Sequence, residues 1–163
     1  MQKQQTLQEG DKLPNLEVSE GEPGSKFYIG EVFAKGKGVL FAVPGAFTPG
    51  CDKKHLPGYV ENYSKFIEKG ITTIACLSVN DAFVMDAWGK HQGADGKIRM
   101  FADADGEFTK AIDMQLDLTN VLGNVRSKRY AMYIQDGVVK KLLVESDGTG
   151  LSCSLAVELL KHI

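Results

Sequence analysis

Residues 39–51 read Val39-Leu40-Phe41-Ala42-Val43-Pro44-Gly45-Ala46-Phe47-Thr48-Pro49-Gly50-Cys51. The first five residues are apolar, and a short apolar run that ends at Pro44 and Gly45 predicts a buried strand. Residues 52–69 predict a helix, which Pro57 should kink because proline lacks a backbone N–H. Cys51 is therefore expected where the loop after a strand enters a helix. At such a position, unpaired backbone N–H groups and the helix dipole favour a thiolate.

The rest of the chain predicts strands and helices in a mixed order. Further strands are predicted at residues 16–18, 26–29, 71–79, 98–101, 130–134 and 138–144. Helices are predicted after a cap at Asn80 or Asp81, from Gly106 to Ile112 and from Ser154 to His162. Strands alternate with helices early, and a hairpin with an Asp136-Gly137 turn comes late. This order predicts an α/β protein with a thioredoxin-like fold, in which a mixed central sheet is flanked by helices within a single domain, residues 1–163.

Charge and composition narrow the possible partners and compartments. The chain has 163 residues and a formal net charge of −2, so no nucleic acid or anionic membrane partner is expected. No apolar run approaches the ~20 residues that cross a bilayer. Residues 1–12 are polar and lack arginine, which fits neither a secretory signal nor an intact mitochondrial presequence. We expect an intracellular, cytoplasmic protein, while mitochondrial import stays compatible with the sequence if a presequence has been removed.

The three cysteines favour thiol chemistry in a reducing compartment over a disulfide scaffold. Their number is low and odd, and the sequence contains no Cys-x-x-Cys. A zinc site is therefore not expected, nor is a metal site built on the three histidines, whose spacing fits no ligand pattern. The count fits one reactive cysteine with one or two helpers.

Cys51 is the candidate nucleophile, and its neighbours in the loop are candidates for supporting it. The Thr48 hydroxyl lies three positions upstream and can be turned toward the sulfur, although such a hydroxyl often bonds its own backbone. Pro44 can fix the loop and shield the sulfur from water. A fast reaction at this sulfur also needs donors that align the bond to be broken and stabilise the leaving group.

A cation near the sulfur is expected from the cluster Arg126-Ser127-Lys128-Arg129. A charge run before a strand is usually solvated. Arg129, however, leads directly into the apolar strand and should lie at a sheet end near the core. A guanidinium also offers fixed, forked donors that a lysine lacks. Arg129 is therefore preferred over Arg126 and Lys128.

The two other cysteines and one histidine leave alternatives. Cys153 follows a glycine-rich approach that predicts an accessible, movable loop. Cys76 lies in an apolar strand and is best explained as core packing. His55 is four residues after Cys51 on the same helix face, where it could tune the thiolate, anchor the loop or simply pack.

The spelling Pro-x-x-x-Thr-x-x-Cys, formed by Pro44, Thr48 and Cys51, resembles that of a peroxiredoxin. The likeness to the type-5, or atypical two-cysteine, branch extends from about Gly10 to the end of the chain. The matching segments are Gly21–Gly24, Val43–Cys51, Leu56–Gly58, Ser78–Phe83, Gly123–Asn124, Gln135–Gly137 and Asp147–Leu155.

This resemblance implies a thiol peroxidase that acts on hydrogen peroxide and alkyl hydroperoxides without a haem, flavin or metal cofactor. Gly50, Thr48 and Arg129 would bind the substrate. Arg129 is the choice among the cations because the family's active-site arginine opens the strand predicted at residues 130–134. Cys153 would attack the sulfenic acid on Cys51 to form an intramolecular disulfide, which thioredoxin or a similar thiol reductant would reduce. Plant-like relatives use a cysteine at position 76 instead. Many relatives form non-covalent dimers.

Two other functions compete with this interpretation. A glutaredoxin-like or thioredoxin-like reductase would share the fold but normally carries Cys-x-x-Cys. A non-enzymatic peroxide sensor would react slowly and pass its oxidation to a partner protein.

Overall fold

A seven-stranded mixed sheet forms the centre of the structure, a computed structural model that describes residues 6–163. The strand order in this sheet is β2-β1-β5-β4-β3-β8-β9, and β6 and β7 form a separate two-stranded sheet. The nine strands are β1 Glu17–Glu20, β2 Glu22–Tyr28, β3 Lys37–Ala42, β4 Ile71–Ser78, β5 Arg99–Ala102, β6 Gln115–Asp117, β7 Val125–Ser127, β8 Tyr130–Gln135 and β9 Val138–Val144.

Short helices connect the strands. They are α1 Ile29–Val32, a π-helical turn Cys51–His55, α2 Leu56–Glu61, α3 Tyr63–Glu68, α4 Ala82–His91, α5 Glu107–Ala111, α6 Thr119–Leu122, α7 Ala156–Leu159 and a 3₁₀ turn Leu160–His162. Within residues 6–163, no helix is long and apolar enough to cross a membrane.

Both faces of the sheet are buried, which explains why residues 39–42 of β3 are all apolar rather than alternating. Val39 and Phe41 point into one core cluster, together with Trp88 of α4. Leu40 and Ala42 point into the other cluster, on the opposite face. The structure thus has the α/β class and the mixed, helix-flanked sheet of a thioredoxin-like fold, as predicted.

The register of β3, β8 and β9 brings three separate parts of the chain to one edge of the sheet. Strand β3 runs parallel to β4 and antiparallel to β8, with Ala42 opposite Tyr130. Tyr130 is in turn opposite Val144 of β9. The loop after β3, the residue before β8 and the residue after β9 therefore meet at the same edge.

Most predicted elements are confirmed, including the hairpin of β8 and β9. Asp81 caps α4 by accepting a hydrogen bond from the Val84 N–H at 2.9 Å. Asp136 and Gly137 have φ angles of 50° and 79°, as a tight hairpin turn with two left-handed residues requires.

The prediction of a single helix over residues 52–69 is wrong in detail, because this part of the chain forms three helical segments. Pro57 has no N–H to continue the hydrogen-bond ladder, and the Leu56 N–H reaches back five residues to the Cys51 carbonyl. A second break follows at Asn62, which ends α2 and caps α3.

The final helix predicted over Ser154–His162 begins later, at Ala156. The Ser154 N–H is bonded to the Glu145 carboxylate and so takes no part in the helix. Strands β6 and β7 and helix α6 were not predicted, since segments of three or four residues show too little periodicity.

Candidate active site

The Cys51 thiol is buried at the sheet edge described above, and the residues around it are called the Cys51 pocket. Helical backbone begins at Pro49, so Cys51 lies in the first turn, as predicted. The residue is 0% exposed, and its sulfur accepts a hydrogen bond from Arg129 Nη2 at 3.2 Å. The guanidinium therefore places a positive charge directly beside the sulfur.

Arg129 is held in place on three sides. Its Nε donates to the Thr149 carbonyl at 3.2 Å, and its Nη1 lies 3.0 Å from His55 Nδ1. Its backbone N–H donates to the Gly148 carbonyl at 2.7 Å. Arg129 is 4% exposed, so a long flexible side chain is fixed before any substrate arrives.

His55 is a neutral acceptor for Arg129, and its tautomer follows from its partners. A guanidinium can only donate, so Nδ1 accepts and the proton is on Nε2. Nε2 is 3.1 Å from the Ser154 carbonyl, to which it donates. Burial, and secondarily the charge of Arg129, lowers the pKa of His55 to about 3, which keeps the ring neutral at physiological pH.

The loop before Cys51 is fastened by backbone contacts. The Thr48 hydroxyl donates to the Gly45 carbonyl at 2.7 Å, and the Thr48 carbonyl accepts from the Asp52 N–H at 2.8 Å. Because the hydroxyl proton is used in this bond, the oxygen lone pairs stay available to an incoming O–H donor. The Asn80 side chain also accepts from the Ala46 N–H at 3.0 Å.

Pro44, Arg126 and Gly50 line the approach to this pocket. The buried Pro44 carbonyl accepts from Arg126 Nη1 at 3.3 Å, so Arg126 contacts the loop while Arg129 contacts the sulfur. A Cβ at Gly50 would lie 3.4 Å from Arg129 Nη2 and 3.0 Å from the Leu151 side chain. Gly50 therefore leaves the space in which the guanidinium can face a substrate.

Cys153 lies in the turn between β9 and α7 and is partly exposed. The buried carboxylate of Glu145 bonds the serines on both sides of it. Burial, together with the charge of and a hydrogen bond to Glu145, raises the pKa of the Cys153 thiol. Cys153 is therefore kept as a thiol. The charge beside its sulfur is negative, whereas the charge beside the Cys51 sulfur is the positive guanidinium of Arg129.

Cys76 is fully buried in the central strand β4, next to β3 and β5. Burial, followed by the proximity of Cys51, raises the pKa of the Cys76 thiol well above its usual range. This placement fits the prediction of a packing role. Within residues 6–163 all three cysteines are free thiols.

The structure places Arg129 in contact with the Cys51 sulfur, and it adds two residues that the sequence did not single out, Glu145 and Ser154. His55 was left between tuning, anchoring and packing, and the structure shows that it anchors Arg129. Glu145 and Ser154 were missed. The one available signal was an acidic residue directly after the apolar strand Val138–Val144. Among residues 6–163, no group of three or more His, Cys, Asp and Glu side chains could hold a metal ion.

This arrangement suits nucleophilic attack by sulfur on a small polar molecule. A buried nucleophile contacts a fixed, forked cation, and a hydroxyl with free lone pairs lies in the same loop. Such a set of groups can stabilise negative charge as it moves onto a leaving oxygen.

Comparisons with known proteins agree with this chemistry. The redoxin family model matches residues 8–159. Chloroplastic peroxiredoxin-2E of Arabidopsis thaliana is 44% identical over 160 residues, covering 94% of this chain and 68% of the relative.

Two crystal structures are also similar. Peroxiredoxin 5 of Alvinella pompejana is 46% identical, with a TM-score of 0.84 over 96% of this chain and 99% of that one. Reduced Prx3 of Vibrio vulnificus in complex with H₂O₂ is 43% identical, with a TM-score of 0.90 over 96% and 99% of the two chains.

Proposed function

Because the chain belongs to the redoxin family, as a peroxiredoxin of the type-5 branch, we propose which residues carry out its thiol-dependent peroxidase reaction. The Cys51 thiolate attacks the terminal oxygen of a hydroperoxide. An S–O bond forms as the O–O bond breaks, the sulfur becomes a sulfenic acid, and the leaving oxygen departs as water or an alcohol after protonation.

Arg129 and Thr48 stabilise the transition state in this scheme. The Arg129 guanidinium faces the sulfur and donates to the oxygen atoms that gain negative charge. The Thr48 oxygen accepts a hydrogen bond from the O–H of the hydroperoxide, while its own O–H continues to donate to the Gly45 carbonyl. Pro44 covers the pocket, and Gly50 leaves room for the substrate beside Arg129.

Cys153 completes the cycle as the resolving thiol. Its sulfur attacks the Cys51 sulfur, forming an S–S bond and releasing water. Its partial exposure supports this role over Cys76, whose movement would disrupt the packing of a central strand. Thioredoxin or a similar thiol then reduces the disulfide.

In this scheme the substrates are hydrogen peroxide and alkyl hydroperoxides. The Vibrio vulnificus relative with H₂O₂ supports the first of these. Three free thiols suit a reducing intracellular compartment, and we place the protein in the cytoplasm or an organelle that maintains one.

The observation that carries the proposal is the 3.2 Å contact between Arg129 Nη2 and the buried Cys51 sulfur. Stopped-flow kinetics of the reduced protein with hydrogen peroxide test it. Cys51→Ser should abolish peroxide consumption, whereas Cys153→Ser should keep the first turnover. A slow reaction of the wild-type protein would indicate a sensor, and turnover by Cys51→Ser would show that the nucleophile is misassigned.

A further inference from the structure

Glu145 is a buried carboxylate with no place in the peroxide reaction described above. It directly follows β9 and is 3% exposed. It accepts four hydrogen bonds from the residues on either side of Cys153. Oε1 accepts from Ser152 Oγ at 2.6 Å, and Oε2 accepts from Ser152 N at 3.0 Å, Ser154 N at 2.9 Å and Ser154 Oγ at 2.6 Å.

These bonds are strong because the acceptor is charged. Burial alone would raise the pKa of Glu145, but the hydrogen bonds from Ser152 and Ser154 lower it to about 2. Charge-assisted hydrogen bonds are shorter and about twice as strong as neutral ones. The carboxylate thus fixes a turn that has little regular backbone hydrogen bonding of its own.

The same turn is fastened to the helical side of the Cys51 pocket. The Ser154 carbonyl accepts from Tyr59 Oη at 2.8 Å and from His55 Nε2 at 3.1 Å. His55 in turn accepts from Arg129. A continuous chain of contacts therefore links Glu145, through Ser154 and His55, to the guanidinium on the Cys51 sulfur.

Opening of this arrangement would free Cys153 to approach Cys51. The two reactive sulfurs belong to separate anchored segments, and a disulfide needs their Cα atoms within about 7 Å. The negative charge beside Cys153 also disfavours its thiolate, which is the attacking form. Release from Glu145 would remove both obstacles together.

We propose that Glu145 is a positioning residue that holds the Cys153 segment closed in the reduced enzyme and thereby limits the rate of disulfide formation. This inference rests on the proposed role of Cys153. The step it controls is balanced: Cys153 loses its proton, its sulfur bonds to the Cys51 sulfur, and the sulfenic oxygen leaves with the proton as water. A slow release leaves the sulfenic acid exposed to a second peroxide for longer.

Glu145→Gln tests the inference, since it keeps the shape and removes the charge. Asp147→Asn is the matched control, because Asp147 lies in the same turn and accepts from Thr149 N and Gly150 N but is exposed. Hydrogen exchange of residues 150–155 in the reduced protein measures the closure itself. Rapid quenching followed by mass spectrometry measures sulfenic acid and disulfide as separate species.

In Glu145→Gln, hydrogen exchange in this segment and the rate of disulfide formation should both rise about tenfold, as expected for charged hydrogen bonds made neutral. Sulfenic acid should form at the wild-type rate, and sulfinic acid at high peroxide should decrease. Asp147→Asn should change each rate less than about twofold. If Glu145→Gln fails to fold, Ser152→Ala, at an exposed residue, should change the same rates in the same direction by about threefold.

The outcomes separate this inference from the proposed function. Unchanged exchange in Glu145→Gln, or a slower disulfide step, overturns the role of Glu145. Faster exchange with an unchanged disulfide rate shows that the segment opens but does not limit resolution, which also overturns it. A wild-type disulfide between Cys51 and Cys76 overturns the role of Cys153 itself.

Discussion

The pockets of Cys51 and Cys153 lie at the same edge of the sheet, yet their electrostatics are opposite. The Cys51 sulfur is fully buried and bonded to the cation of Arg129, whereas Cys153 is partly exposed beside the anion of Glu145. Both charged residues flank the paired ends of β8 and β9, where the Glu145 N–H donates to the Arg129 carbonyl at 3.1 Å. The same end of the sheet therefore places a cation beside one thiol and an anion beside the other.

The two pockets also differ in how they are held. Around Cys51 the contacts come from strand ends, helical turns and a fixed guanidinium, as a reaction with strict geometry requires. Around Cys153 they come from side chains bonded to a turn, which can open without disturbing the sheet. Regular secondary structure therefore fixes the geometry around Cys51. Side-chain hydrogen bonds that can break and re-form allow the Cys153 segment to move.

Removing the Arg129 cation, which distinguishes the Cys51 pocket from that of Cys153, should have the largest effect. Arg129→Met should lower kcat/KM for hydrogen peroxide by roughly 10²–10³-fold, because a preorganised donor to the developing charge is lost. Lys128→Met is the control on the neighbouring residue and should stay near the wild-type value. The comparison is made at a pH at which Cys51 is ionised in each variant, and a near wild-type rate for Arg129→Met would contradict the assignment.

The Thr48 hydroxyl should have the next largest effect. Thr48→Val keeps the shape but removes the oxygen, and the peroxide step should slow by roughly 10²-fold. Thr48→Ser restores the oxygen and should recover most of the rate in the same stopped-flow assay. Equal rates for the valine and serine variants would mean that the hydroxyl serves only to shape the loop.

His55 joins the two pockets, and its pKa should make the fold sensitive to acid. The folded pKa of about 3 lies below the ordinary value of 6.5, so the unfolded chain binds the proton more readily. Stability is therefore full above about pH 6.5 and falls as the pH drops toward 3, by up to about 1.4 kcal/mol per pH unit. Below the ordinary value of 4.5, Glu145, whose folded pKa is about 2, should add to the loss.

Urea unfolding between pH 7 and pH 5 measures this slope. His55→Asn should be less stable at neutral pH but should lose most of the pH dependence in that range. His162→Asn, at an exposed position, is the matched control and should keep the wild-type slope. The same slope in His55→Asn would show that other groups cause it.

The smallest effect is expected at Gly50, which lies between the two pockets. An added Cβ would be 3.0 Å from the Leu151 side chain and 3.4 Å from Arg129 Nη2, and the leucine can yield by a few tenths of an ångström. Gly50→Ala should therefore slow the peroxide step by less than about tenfold. A loss as large as that of Arg129→Met would mean that the Leu151 side chain does not yield and that the added Cβ displaces the guanidinium instead.

Local sequence patterns were sufficient to predict the position of Cys51 but not the more distant residues that contact it. The apolar run of β3 and the two prolines predicted where Cys51 lies, because strand length and turn residues act over short distances. Arg129 is 78 positions away, and its contact depends on the antiparallel register of β8. The sequence narrowed that choice to three cations, and the argument for Arg129 rested on its place at the start of a buried strand.

The Cys153 segment was harder to predict because side chains, rather than periodicity, define it. Ser152 and Ser154 are ordinary turn residues until the Glu145 carboxylate is placed between them. The predicted helix start at Ser154 was wrong for the same reason, since its N–H has a tertiary partner. The missed π-helical turn has a local cause in Pro57, but only the structure shows how the ladder adjusts.

In the proposed cycle, Cys51 reacts with peroxide, and Cys153 of the same chain then attacks the Cys51 sulfenic acid to form a disulfide. Peptide mapping by mass spectrometry after one equivalent of hydrogen peroxide tests it most directly. We expect a single major disulfide, Cys51–Cys153, in the peptide map. On a non-reducing gel the oxidised protein should run as a single chain. A Cys51–Cys76 disulfide, or a disulfide between two chains, would contradict it.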